Sequence, residues 1–260
     1  MRSVLFKNPF ILVSRIINSE LTSKKVACLI SIIIPAHNEY KNLALLLPRL
    51  AAIEKGFTVE CIVVLSSANS DNSLELQNQP SVRFIRAAQK GRAPQMNAGA
   101  AEAKGSILAF LHADVWPPKT FLQRITDTIA NGYDAGFFSY RFDKEHILLR
   151  MNAAFTKRDG FFTGGGDQCL FIRRSSFDSL GGFDEAQLLM EDFAFFRAMK
   201  SAKVPYTIVP EDLIVSARKY ESNSYLRINL ANLLLVLLFR LNVAPKRLRS
   251  LHYKLLKVPR

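Results

Sequence analysis

Short runs of aliphatic and β-branched residues alternate along this chain with segments in which Leu, Ile or Phe recurs every three or four positions. Val26 to Ile34 is nearly continuous in apolar residues, the pattern of a strand buried on both faces of a parallel sheet. Leu43, Leu46, Leu47 and Leu50 follow at helical spacing and predict an amphipathic helix. Thr58 to Leu65 and Val82 to Ile85 read as further strands. Ala-rich sequence from Pro94 to Lys104 favours helix, with Gly105 in the place of a left-handed stop residue. Ile107 to Leu111 is the next strand, and Pro117-Pro118 forbids its continuation. Downstream, Phe121 to Asn131 predicts a helix and Tyr133 to Phe142 one or two strands. A helix is expected between Arg150 and Phe162, a strand over Cys169 to Ile172, and a short helix from Arg173 to Leu180 closed by Gly181-Gly182. Another helix carries Phe193, Phe196 and Met199. Alternation of this kind implies βαβ units with right-handed crossovers, hence an α/β fold: a Rossmann-like, mostly parallel sheet flanked by helices.

The chemistry gathers at strand ends. The first strand runs into Pro35-Ala36-His37-Asn38-Glu39, the second into Ser66-Ser67-Ala68-Asn69-Ser70-Asp71, and the Ile107 strand into His112-Ala113-Asp114. Open α/β sheets bind ligands beyond the carboxyl ends of their strands, so these loops could form a nucleotide pocket. Asp114 is open to two readings, a ligand-binding carboxylate or a turn residue before Pro117. Thr163-Gly164-Gly165-Gly166-Asp167-Gln168 either lets backbone approach a ligand or only makes a tight turn. Glu191-Asp192 is either chemical or an acidic helix start that suits the dipole.

Composition narrows the class. With 260 residues, 49% hydrophobic and 22% charged, the chain is globular and can bury a sizeable core. Of the net +13, +9 falls in the 43 residues from Arg218 to Arg260, where ten Lys or Arg face one acid, Glu221. No zinc-finger spacing or RNA-binding signature accompanies it, so specific nucleic-acid binding is not expected. Cys28, Cys61 and Cys169 form no C-x-x-C pair, which fits a reducing cytosol rather than a disulfide framework. Met1 to Glu20 lacks the sustained apolar core of a secretory signal. Ile228 to Val243, too short to span a bilayer, either packs at the domain edge or lies on an anionic membrane ahead of the basic tail. The expected division is an N-terminal segment 1–25, a main domain 26–217 and a basic helical extension 218–260, in a cytoplasmic protein that the second reading of Ile228 to Val243 would make peripheral on the inner face of the membrane.

In this order, the motifs resemble family 2 glycosyltransferases of the GT-A fold from about Ser31 to Arg247. The P-x-x-N-E loop is Pro35 to Glu39; Gly91, Asn97 and Gly99 match G-x-x-x-x-x-N-x-G; Asp114 ends a D-x-D-type strand; and Glu191-Asp192 is the E-D pair. The chain is similar, more narrowly, to a bacterial branch associated with radical-SAM and selenodomain proteins or with arsenosugar biosynthesis. That branch is marked by G-R-x-x-Q-M-N-x-G, L-H-A-D, G-D-Q and M-E-D, and tends to end in S-A-R and a basic helix, here Ser216-Ala217-Arg218 and Ala244 to Leu248. The resemblance implies an inverting transferase that moves a sugar from a nucleotide-diphosphate donor to an acceptor hydroxyl, with Asp192 as general base and Glu191 orienting it or the acceptor. It implies donor binding by Pro35, Ala36, Glu39, Asp71, Arg92, Asn97, His112, Ala113 and Asp114, and acceptor binding by Gly165, Gly166, Asp167 and Gln168. It further implies Mg²⁺ or Mn²⁺ held at Asp114 and His112 beneath the leaving diphosphate. Two departures stand out. The loop after Leu65 lacks the family's first acid, and His112 replaces the first Asp of D-x-D, which the close branch shares; His112 can be read as metal ligand, phosphate donor or core histidine. These departures motivate a second reading, a non-catalytic sugar-nucleotide binding protein. A nucleotidyltransferase would want a Gly-rich basic loop after the first strand, which Pro35 to Tyr40 does not offer.

Overall fold

A computed structural model describes residues 29–78, 81–160 and 162–256. The segment 1–25, the start of the strand expected from Val26, Cys28 and the last four residues of the basic tail lie outside the described residues.

Strand β1 (Ile30–Ala36) is buried along its whole length and runs two residues past the expected stop to include Pro35 and Ala36. Helix α1 (Tyr40–Ile53) buries Leu43, Leu46, Leu47 and Leu50, as its spacing demands. Strand β2 (Val59–Leu65) follows, then a 3-10 helix, Asn72–Asn78, and β3 (Val82–Arg86). Helix α2 (Arg92–Glu102) begins at Arg92, ahead of Pro94, which is tolerated in a first turn where N–H groups lack partners anyway. Gly105 does not end this helix in a left-handed conformation: its φ is not positive. The residue is small because a Cβ there would come 2.6 Å from Leu29 O and closer still to Ser31 Oγ on β1.

Strand β4 (Ile107–Phe110) leads into the two-residue β5 (Val115–Trp116), then α3 (Phe121–Ala130) and a single β6 (Ala135–Phe142). Helix α4 (Ile147–Ala154) starts earlier than expected and closes through a 3-10 turn, Phe155–Lys157. Strand β7 (Phe171–Arg173), α5 (Arg174–Ser179) and α6 (Glu191–Ser201) precede β8 (Tyr206–Val215), a strand the sequence pattern does not announce. Its middle, Pro210-Glu211-Asp212, consists of residue types depleted in strands. The sheet absorbs it as a bulge, with β6 register jumping from Phe138↔Val209 to Tyr140↔Leu213. The chain ends in α7 (Lys219–Ser222), α8 (Tyr225–Arg240) and α9 (Pro245–Leu255).

The strands form one sheet in the order β3-β2-β1-β4-β7-β6-β8-β5. The β3-β2-β1-β4 half is parallel; β7 lies antiparallel between β4 and β6, and β8 is parallel to β6. Ile30, Ile32 and Ile34 face one layer with Leu43, Leu47, Phe121 and Ile125, while Ile33 faces the other with Val64, Met96, Phe195 and Met199. Parallel register sets Ala36 beside Leu65 and Ile33 beside Phe110, so three polar loops emerge at one edge.

Gln95 pins that edge. Its buried Nε2 donates to Ala36 O at 2.8 Å and Val64 O at 2.7 Å. Gln95→Ala should cost about 2–3 kcal/mol, because two buried carbonyls each lose a hydrogen bond, Ala36 O keeping that from Ser66 N–H, and a void opens. A urea midpoint equal to the parent's would refute this role.

Candidate active site

Beyond β1, Asn38 adopts a left-handed φ of 57° and its Oδ1 accepts from Ser70 N at 2.9 Å, while its own N–H donates to Asn69 Oδ1 at 2.7 Å. Asp71 reinforces this tie. Its Oδ2 accepts from Tyr40 N at 2.8 Å, and its Oδ1 from Ser73 Oγ at 2.6 Å and Asn69 Nδ2 at 2.8 Å. The Asp71 carboxylate is therefore a brace between two loops rather than a free donor contact. Asn97 is similarly engaged: its amide bonds Phe183 O at 2.8 Å, Phe183 N–H at 2.9 Å and Glu185 Oε1 at 2.9 Å, anchoring the segment after α5.

The two carboxylates at the first and fourth strand ends meet one cation. Arg218 donates to Glu39 Oε1 at 2.6 Å and Oε2 at 3.1 Å, and its Nη2 lies 3.1 Å from Asp114 Oδ2. Next along the chain, Lys219 Nζ donates to Asp167 Oδ2 at 3.1 Å. Both cations reach the site because β8 ends there, joined to β5 by Val215↔Val115 and by Ser216 N–H to Asp114 O at 3.2 Å. Sequence reading assigns Arg218 and Lys219 to a basic extension; the structure makes them site residues. Their only signal in the sequence is the S-A-R match.

His112 is buried, with Nδ1 3.7 Å from Asp167 Oδ1. Burial opposes its charge, but Asp167 and Asp192 outweigh that and raise its pKa. Burial likewise pushes against ionised Asp167, yet Lys219 and His112 hold that carboxyl well below the usual range. Asp114 is displaced upward, by burial first and by Asp167 next.

Met190, at φ 65°, turns the chain so that α6 opens with Glu191 and Asp192, the second of which lines the small cavity beside Gly166. Glu191 is buried, and its Oε1 lies 2.5 Å from Arg92 Nε without an N–H aimed along that line, a charge contact lacking a hydrogen bond. Burial and then the Glu191 charge push the Asp192 carboxyl up to about 6. Gly166 brings the pieces together: a Cβ there would lie 2.6 Å from Asp192 Oδ2 and from His112 Nε2. A small cavity beside it is lined by Met96, Phe110, Phe137, Leu170, Gly164, Gly165, His112 and Asp192. Gln168 supports the loop from behind. Its Oε1 accepts from Gly164 N at 3.1 Å and its Nε2 reaches Phe138 O and Thr156 O, so it does not face the cleft as an acceptor contact would.

Asp192 and His112 line that cavity, while Asp114, at the end of the same strand loop as His112, is paired with Arg218; His112 and Asp167 act electrostatically on both carboxylates. Among the described residues no three His, Cys, Asp or Glu side chains gather as a metal-ligating group. A diphosphate-bound Mg²⁺ or Mn²⁺ needs only one or two protein carboxylates, so Asp114 fits such an ion. His112 fits it poorly, because its Nδ1 faces Asp167 and its Nε2 lies against Gly166.

Residues 31–181 match the family model described as Glycosyl transferase family 2. An undecaprenyl-phosphate 4-deoxy-4-formamido-L-arabinose transferase of Photorhabdus laumondii is 27% identical over 236 residues, covering 85% of this chain and 70% of the relative. A dolichol-phosphate mannosyltransferase of Pyrococcus furiosus is 29% identical over 109 residues, 40% of this chain and 31% of that one. The fold is similar to that of the Pyrobaculum calidifontis mannosyltransferase PcManGT, in complex with GDP-Man and Mn²⁺, at a TM-score of 0.62 and 18% identity over 94% of this chain and 76% of that one. It is also similar to S. aureus TarS 1-349 in complex with UDP-GlcNAc, at 0.56 and 16% over 85% and 70%.

Proposed function

The chain belongs to glycosyl transferase family 2 and is a glycosyltransferase; on that premise we propose that it moves a sugar from a nucleotide-diphosphate donor to an acceptor hydroxyl in a single inverting displacement. What supports this reading is Asp192 lining the cavity beside Gly166 together with His112, whose neighbour Asp114 is paired, with Glu39, to Arg218. The acceptor oxygen bonds to the anomeric carbon as the bond from that carbon to the diphosphate breaks. The hydroxyl proton passes to Asp192, and the electron pair leaves with the diphosphate. Glu191 holds Arg92 at the mouth of the cleft until phosphate oxygens compete for the guanidinium. Arg218, already paired with Glu39 and Asp114, stands where it can take a second phosphate contact. Mg²⁺ or Mn²⁺, when bound, adds Lewis-acid charge to the leaving group, and Asp114 is the residue that would hold it. The GDP-Man and Mn²⁺ in the mannosyltransferase of similar fold support both the donor class and the ion. The G-R-x-x-Q-M-N-x-G, L-H-A-D and M-E-D motifs support placement in the radical-SAM and selenodomain-associated branch.

A second reading concerns the acceptor. The names of the undecaprenyl-phosphate and dolichol-phosphate relatives favour a lipid phosphate, and an exposed leucine face lies behind the helix that carries Asp192. The decisive test measures thermal midpoints with a panel of nucleotide sugars, with and without Mn²⁺, then follows nucleoside diphosphate release with hydroxyl and lipid-phosphate acceptors. A donor that raises the midpoint and is turned over is the expected result. If no donor does either, the reading fails.

Arg218→Ala should raise the donor KM about 10- to 100-fold, the loss of roughly 1.5–3 kcal/mol of charged hydrogen bonding. An unchanged donor KM would remove Arg218 from the donor site.

A further inference from the structure

Helix α8 is apolar on both faces. Ile228, Ala231, Leu235 and Phe239 are buried, and Leu235 and Phe239 pack with Met190, Phe193 and Ala194 around the start of α6. Its other face carries Leu226, Leu230, Leu233, Leu234 and Leu237, continued by Leu241, all between 39 and 74% exposed. These positions step by three and four residues and so form one stripe. Helix α4 adds exposed Ile147 and Met151, with Phe155 just after it, and Asn152 Nδ2 ties α4 to α8 through Asn229 Oδ1 at 2.9 Å. Apolar side chains in such number are not normally left in water.

The charge around the stripe selects its occupant. Arg227 and Arg240 flank it, and α9 contributes Lys246, Arg247, Arg249 and Lys254 with no acid from Ser222 to the end of the chain. Two copies meeting through this region would bring like charges together, whereas anionic headgroups complement them. No helix among the described residues is long and apolar enough to cross a membrane, so the fitting geometry is a helix lying in the interface plane.

We propose that the α8 stripe, with the adjoining face of α4, docks this enzyme on an anionic bilayer, leucines at the acyl boundary and the α9 cations among the headgroups. Because the buried face of α8 packs on the start of α6, docking holds Asp192 and its cleft in a set orientation to the membrane. The proposal needs no donor, so its test stands apart from that of the transfer reaction.

The test is co-sedimentation of the full chain with vesicles of phosphatidylcholine alone, or mixed with phosphatidylglycerol at roughly 2:1. Binding to the mixed vesicles should exceed that to the neutral ones about tenfold and weaken with salt. Leu230→Glu with Leu234→Glu should abolish it. Lys246→Gln with Arg249→Gln, both exposed and outside the core, should weaken it about tenfold without touching the apolar face. Deleting the tail is a poorer experiment, because Leu248 of α9 packs against Leu235 and Phe239. Equal binding to both vesicles, or binding unaffected by either pair, overturns the proposal. So does a parent that sediments as a dimer, ignores vesicles and becomes monomeric with the leucine pair, which would make the stripe a self-association surface.

Discussion

Asp192→Asn should lower kcat for a hydroxyl acceptor by roughly 10²–10⁴-fold, the range a positioned general base contributes, while donor affinity stays close to the parent's. The substitution keeps size and shape and removes only the capacity to accept a proton. Its pH profile follows from the same group. Burial, reinforced by the Glu191 charge, pushes the Asp192 carboxyl up to about 6. The base works only when ionised, so parental kcat should be level above about pH 7 and fall about tenfold per unit below pH 6. The sign for stability is the reverse. A carboxyl whose folded pKa lies above its unfolded value binds its proton more tightly in the native state, so stability declines as pH rises from about 4 through about 6. Asparagine is never charged, and the variant's thermal midpoint near neutrality should equal or exceed the parent's. Stopped-assay kcat across pH, beside calorimetry, reads all of this. Full activity in the Asn variant would sink the assignment. Loss with hydroxyl acceptors but retention with a polyprenyl phosphate would move the acceptor reading to the phosphate, whose oxygen is already ionised.

Gly166→Ala should cost about 100-fold in kcat/KM with little change in stability. The φ of Gly166 is not positive, so alanine can take its backbone conformation. What it cannot take is the space: the new methyl would sit 2.6 Å from Asp192 Oδ2 and in collision with the His112 ring. One of those side chains must shift, and a displacement of about 1 Å at a reacting group is enough for an effect of that size. Gly160→Ala is the control. A Cβ at Gly160 meets only Arg158 O, at 3.9 Å, and lies outside the cavity lining, so activity should hold. Parental kcat/KM in Gly166→Ala, measured with the donor found by thermal shift, would show that the loop does not set the cleft's geometry.

Much of the architecture is written in local pattern. Leu43, Leu46, Leu47 and Leu50 declare a helix face because burial needs a 3.6-residue period, and they are buried. The apolar run through Ile34 declares a strand covered on both sides. Strand direction is not written in the same way: an apolar run has the same pattern in either orientation, so nothing in Phe171–Arg173 announces that β7 turns antiparallel between β4 and β6. Pro210-Glu211-Asp212 hides β8 because a bulge and a turn draw on the same residue types.

The site divides along the same line. Asp114, Glu191 and Asp192 stand out by type and by their place at element ends. Asp71, Asn97 and Gln168 stand out equally, yet their hydrogen-bonding atoms are engaged in bracing loops. Residue type says that a polar group needs a partner; only coordinates say whether that partner is the protein itself or remains to be supplied by a ligand.

Taken alone, the order of residues determined most of the strands and helices, β8 excepted, which faces they bury, and that polar strand ends gather along one edge of the sheet. The tertiary structure decided that Arg218, 179 positions from Glu39, closes over Glu39 and Asp114, that Lys219 holds Asp167, and that His112 and Asp192 both crowd the Cα of Gly166. The physical reason is range. Periodicity and capping act within a few residues, whereas pairing β8 with β6 and β5 brings distant residues together through strand order, which no local interaction encodes.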